Sequence, residues 1–143
     1  MKLQLHNATD IPVPEEQLRL AVETVLAGEQ FIADAQVSLI LVTDDELRTM
    51  KQTYFQVNQY TDVIAFNLNE KGEALEGELY LAPGQIRQNA AAYRQDFRTE
   101  FLRVAIHGVL HLCGHEDDTP ERKADMHQRE DHYLRAMGIG LDA

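Results

Sequence analysis

Residues 97–113 read FRTEFLRVAIHGVLHLC, and this stretch restricts the possible folds more than any other in the chain. Wound as a helix, its apolar side chains (Phe101, Leu102, Val104, Ala105, Ile106, Val109, Leu110, Leu112 and Cys113) cover most of the circumference. Such a helix must be surrounded by other elements. The polar exceptions, Glu100, Arg103, His107 and His111, recur at spacings of three and four and therefore share one face. The packed sides need a sheet and further helices; the polar stripe needs partners of its own.

His107 and His111 lie one turn apart, so both imidazoles can meet one cation. The same pair also fits two hydrogen-bonded histidines on a half-buried helix. The residues after His111 favour a metal. Gly114 can take φ > 0, end the helix and turn the chain back. Asp117, ten residues after His107, lies where a returning carboxylate can reach the ion. Neutral imidazole suits zinc and other late divalent metals. Position 108, where the metalloprotease pattern H-E-x-x-H carries its general base, is Gly108. A protease of that kind is disfavoured, whereas metal-assisted hydrolysis of another bond is not.

Around this segment the chain alternates between strand and helix signals. LQLHN alternates as a strand, and Pro14 opens a helix whose Leu18, Ala21, Val22, Val25 and Leu26 follow helical spacing. Val37–Val42 is a strand-length apolar run, ended by the capping-box pattern Thr43-Asp44-Asp45-Glu46, which starts a helix reaching about Tyr54. Thr61–Phe66 and Gly77–Ala82 read as strands, and Pro83 starts a helix. Asp96 or a neighbour caps the helix from Phe97 to Cys113. Thr119-Pro120 starts a last helix expected to bury Met126, Tyr133, Leu134 and Met137. The order predicts an α+β fold: a small mixed sheet of about four strands covered by helices, with the two-histidine helix near the C-terminal end. Tyr54 is expected in the core with its hydroxyl at the edge, Cys113 as a core thiol, and His127 and His132 facing solvent. Asp62 is read as a cap or turn residue, or as part of a site wall.

With 143 residues, one domain over 1–143 is expected. One cysteine permits no internal disulfide, and MKLQLHNATDIP holds no apolar run long enough for a signal peptide, so the expected location is cytoplasmic. A net charge of −11 opposes broad electrostatic capture of nucleic acid. The charge is uneven, however. Residues 83–111 carry four arginines (Arg87, Arg94, Arg98 and Arg103) against Asp96 and Glu100, so the one locally basic stretch runs into the histidines. Ordinary solvated helix charge would give the same pattern.

HGVLHLCG, taken with TDVIAF, resembles the YbeY family of bacterial metal-dependent endoribonucleases, whose signature is H-G-x-L-H-L-x-G-Y-D-H. The resemblance extends over essentially the whole chain: Tyr60–Phe66 matches the P-T-D-V-L-S-F block loosely, and Gly77-Glu78-Leu79 matches a G-D-I-type strand. Glu100 falls on an acidic position, and Met126 and Glu130 fit the closing helix. It implies a single-strand endoribonuclease acting in ribosomal RNA maturation and ribosome quality control. The implied cofactor is one zinc ion, or another divalent metal, on His107, His111 and a third ligand. The implied partner is RNA, ribosomal RNA or the small ribosomal subunit, with no DNA or membrane partner expected. This sequence departs from the family twice. Asp117 stands where the third histidine is usual, preceded by His115 and Glu116, which makes His115 the rival third ligand. A family arginine is absent at Tyr54-Phe55, leaving Lys51 and Arg103 as candidate catalytic cations, and Arg98 and Arg103 as candidate phosphate contacts; a surface or structural ion pair is the alternative for Lys51 and Arg103. The second function kept open is a ribosome-assembly binding protein that retains the metal site with weak catalysis.

Overall fold

The computed structural model describes residues 1–141. Its elements follow the expected order: β1 (Lys2–Asn7), α1 (Glu15–Gly28), β2 (Gln36–Leu41), α2 (Asp44–Phe55), β3 (Val63–Asn67), β4 (Glu76–Leu81), α3 (Pro83–Ala92), α4 (Phe97–Leu112) and α5 (Pro120–Ala136). Local chemistry sets several of the ends. The Thr43 hydroxyl accepts from the Glu46 amide, Asp96 from the Thr99 amide and Thr119 from the Arg122 amide, so α2, α4 and α5 each begin on a side-chain cap. Pro120 occupies the first turn of α5, where its missing N–H costs nothing.

The fold is α+β. Four strands form one mixed sheet in the order β1-β2-β4-β3. β2 pairs parallel to both β1 and β4, with Leu39 beside Leu5 and Leu79. β3 runs antiparallel to β4, with Ala65 opposite Leu79, and forms an edge of the sheet. Parallel neighbours need a crossover, which α1 supplies between β1 and β2. In β2 and β4 every second residue is buried: Val37, Leu39 and Leu41 in one, Gly77, Leu79 and Leu81 in the other. That face meets α1 and α4, and α4 is enclosed by α1, α3, α5 and the β3–β4 edge. A smaller apolar group, Val42, Leu47, Ile64 and Ala82, lies under α2. Among the described residues no helix is long and apolar enough to cross a membrane.

Three sequence expectations need correcting. The third strand begins at Val63 rather than Thr61, because Asp62 and Ala82 close it through the Asp62 carbonyl. Met137 is only half-buried and caps α5. Tyr54 is outside the core, 60% exposed, its ring set edge-on to Phe66 at 5.2 Å. α2 packs against the sheet mainly through Leu47, and its last turn projects beyond the covered area.

The close approach of α4 to the sheet explains the residue between the histidines. A Cβ at Gly108 would lie 2.9 Å from Leu79 Cδ2 and 3.2 Å from Val63 Cγ2. Leu79 is fully buried, so its side chain could give way only by displacing its core neighbours. Gly108→Ala is therefore expected to destabilise the protein. Overpacking of ~1–3 kcal/mol outweighs the ~1 kcal/mol that helix propensity returns. Urea denaturation should show a lower midpoint; a higher midpoint would mean that the sheet yields at Leu79.

Candidate metal centre

Helix α4 carries His107 and His111 on its half-buried stripe, and the chain stops and reverses directly after them. Gly114 takes φ +98°, donates to the His111 carbonyl, and lets the His115 amide reach the Leu110 carbonyl. This paired closure is the glycine-based helix stop, and it sends residues 115–118 back along the helix end. Asp117 thereby arrives beside both imidazoles.

The three side chains converge. His107 Nε2 and His111 Nε2 are 3.0 Å apart, and the Asp117 oxygens lie 3.3 Å from the first and 3.5 Å from the second. Ligand bonds of ~2.0–2.2 Å in a tetrahedral set place neighbouring donor atoms about 3.3–3.6 Å apart. The two carboxylate distances, one to each Asp117 oxygen, fall in that range and the imidazole pair lies just below it, so these residues could hold a divalent ion. Two imidazoles and one carboxylate form a donor set suited to zinc and also open to harder metals.

The stripe is organised by a residue whose role sequence reasoning missed. Glu130, on α5, is buried (6% exposed) and accepts from His107 Nδ1 at 2.7 Å. That bond fixes the tautomer and leaves the His107 Nε2 lone pair facing the cavity. The other Glu130 oxygen takes the Arg103 guanidinium at 3.2 Å, and Arg103 also reaches Asp131 at 2.7 Å. An unpaired carboxylate at this depth would cost several kcal/mol, and the fork from Arg103 offsets that cost. Arg103 is thus turned to α5 as a structural ion pair, the alternative to a catalytic cation. One signal was present in the sequence: Glu130 sits four residues after Met126 and three before Tyr133, an acid in the apolar stripe of α5.

Burial alone would push the His107 imidazole down; the Glu130 hydrogen bond and the charges of Glu130, Asp117 and Asp62 outweigh it, and its pKa is raised. His111 is lowered, by burial and by the positive charge of His107, against the pull of Asp117. Glu100, on the same stripe, is raised by burial, partly countered by Arg103. Asp62 is raised, by burial first, with His107 opposing.

His107, His111 and Asp117 border a cavity of about 530 Å³, whose lining also includes Asp62, Val63, Ala65, Lys51 and Phe55. Lys51 is therefore brought to the site. Arg98 is not among these residues; it borders a separate hollow with Pro12, Pro14 and Phe97. His115 turns away from the cluster: its Nε2 lies 2.5 Å from Glu29 Oε1, at the end of α1. Glu29 also accepts from the Tyr133 hydroxyl and from Arg129. Cys113 is half-buried, its thiol pushed up to about 12 by burial. His127 and His132 are exposed on α5, with His127 at the margin of the Arg103–Asp131 pair.

The chain matches, over residues 4–138, the family described as Endoribonuclease YbeY. It is 42% identical to a protein named Endoribonuclease YbeY from Chloroherpeton thalassium over 137 residues, 96% of each chain. It is 36% identical to a protein of the same name from Chlorobium phaeovibrioides, across 100% of this chain and 95% of that one. The solution structure of a protein from Thermotoga maritima is similar with a TM-score of 0.63 and 26% identity, covering 94% of this chain and 91% of that chain.

Two expectations arise from the geometry. Glu130→Gln should weaken metal retention by roughly 10–100-fold in a competition titration against a chelator, with the fold kept. Unchanged retention would mean that the Glu130–His107 bond does not tune the ligand. Acidification should also release the metal. Because the His107 pKa is raised, protons compete at pH values above the ordinary histidine range of about 6.5. Metal affinity that stays flat from about pH 8 to pH 5 would remove the imidazoles from the ligand set.

Proposed function

The chain belongs to the YbeY family of endoribonucleases, and on that premise we propose that it cleaves single-stranded ribosomal RNA during ribosome maturation and quality control, with zinc on His107, His111 and Asp117. It is a hydrolase of RNA that depends on a metal. The observation that carries the proposal is the meeting of two imidazole nitrogens and one carboxylate, 3.0–3.5 Å apart, at the wall of a cavity large enough for a nucleotide. His107, His111 and Asp117 would hold a divalent cation, which would supply Lewis acidity toward the phosphodiester and make a water more acidic.

The chain's own residues have separable tasks in this scheme. Glu130 holds the His107 Nδ1 proton, so that Nε2 stays free to ligate. Arg103 acts through Glu130, balancing its charge and fixing its direction. Asp117 brings a negative charge that a third histidine would not, which tempers the electrophile and suits harder metals such as manganese. Lys51, on the cavity lining, is the cation available to a phosphate. His115 serves α1 through Glu29 and leaves the third position to Asp117. Residues 1–143 act as one catalytic domain, and a ribosomal substrate implies work in the cytoplasm, with the small ribosomal subunit as the partner particle.

The test is cleavage of single-stranded and ribosomal RNA by purified protein with added zinc or manganese. Cleavage should vanish on chelation and in His111→Ala, and Asp117→Ala should lose metal. Cleavage that survives His111→Ala would sink the metal mechanism. Full metal retention in Asp117→Ala would remove Asp117 from the shell. Binding to a ribosomal particle without any cleavage would favour an assembly factor with weak catalysis.

A further inference from the structure

The cavity has a lining that the hydrolytic chemistry leaves without a task. Phe55, the last residue of α2, borders it together with His107, His111 and Asp117, yet the residue is 45% exposed. Phe66 stacks with it at 6.1 Å and 17°, and Phe66 is itself held edge-on by Tyr54 and Tyr80. The ring is therefore buttressed from the sheet side. Lys51 Nζ, one helical turn earlier, sits 5.2 Å from the Phe55 centroid. Among the described residues Lys51 forms no ion pair with a carboxylate.

We propose that Phe55 is a stacking platform for one unpaired nucleobase of the RNA, with Lys51 turning from the ring to the adjoining phosphate. The proposal rests on the RNA-hydrolase reading and adds a subsite to it. Three observations carry it. The aromatic ring and the metal-binding atoms line one cavity, of about 530 Å³, within the ~300–1,000 Å³ of ordinary ligand pockets. A chain of net charge −11 does not gather RNA by charge over its whole surface, so local contacts must supply affinity, and a ring does so independently of salt. Stacking on a buttressed ring meets that need and tolerates any base. It also selects for single strands, because a base inside a duplex is already stacked on both faces. A free lysine beside the ring adds the one local charge that a phosphate requires.

The probe is a fluorescent single-stranded RNA of about 12 nucleotides, within the ~4–16 nucleotides of a single-strand binding site, titrated by anisotropy with metal-loaded protein in the cold; a gel verifies that the RNA stays intact. Phe55→Ala should bind roughly 5- to 150-fold more weakly, the range for one stacked base, at both low and high salt. Phe55→Trp should bind as well as or better than the parent. Lys51→Ala should weaken binding at low salt and much less at high salt. An abasic unit moved along the RNA should cost the parent affinity at one position and cost Phe55→Ala nothing there. Equal affinity of the parent and Phe55→Ala, with metal-dependent cleavage intact in both, overturns the stacking subsite and leaves the nuclease standing. A parent protein that neither binds nor cleaves RNA overturns both, and binding of a protein partner that Phe55→Ala abolishes, without any effect on RNA affinity, reassigns the ring.

Discussion

Helix α4 can be buried on nearly all sides only if its few polar side chains are answered, and every other part of the structure bends to that demand. The apolar sides are met by α1, α3, α5 and the inner face of the sheet. The polar stripe is met by Glu130 of α5 from one direction and by Asp117 from the returning loop. Gly108 shortens the distance to β3 and β4 so that the stripe lies over the sheet edge rather than in open solvent. The site is thus the residue of a packing problem: the one face of the central helix that no apolar surface covers.

Charge organises that face in an alternating series. Arg103, Glu130, His107 and Asp117 succeed one another as cation, anion, imidazole and anion, each within hydrogen-bonding or ion-pair distance of the next. Glu130 is the buried member of this half-buried series, so removing Arg103 or His107 would leave its carboxylate without a partner. The family of endoribonucleases to which the chain belongs is therefore represented here by a site that depends on α5 as much as on α4.

What the sequence made legible was what local geometry determines. The one-turn spacing of His107 and His111, the glycine stop, the Thr43, Asp96 and Thr119 caps and the order of elements all depend on residues within a few positions of each other. The arrival of Asp117 at the imidazoles is also local, since Gly114 aims it. Glu130 and Glu29 were not legible in their roles, because they lie 23 and 86 positions from the histidines they hold and no periodicity connects such pairs. Tyr54 failed for a related reason: helical spacing cannot show that α2 outruns the sheet it covers. Arg103 was visible on the stripe, but its direction depends on α5, which spacing within α4 does not specify.

The bond between His115 and Glu29 reaches beyond the loop that contains it. Glu29 also takes the Tyr133 hydroxyl and Arg129, so the turn carrying Asp117 is stapled to two helices by contacts that do not involve the ion site. Asp117 is thereby positioned by contacts of the fold itself. An ion bound beside it would add to stability by mass action, whereas a zinc finger has to assemble itself around its metal.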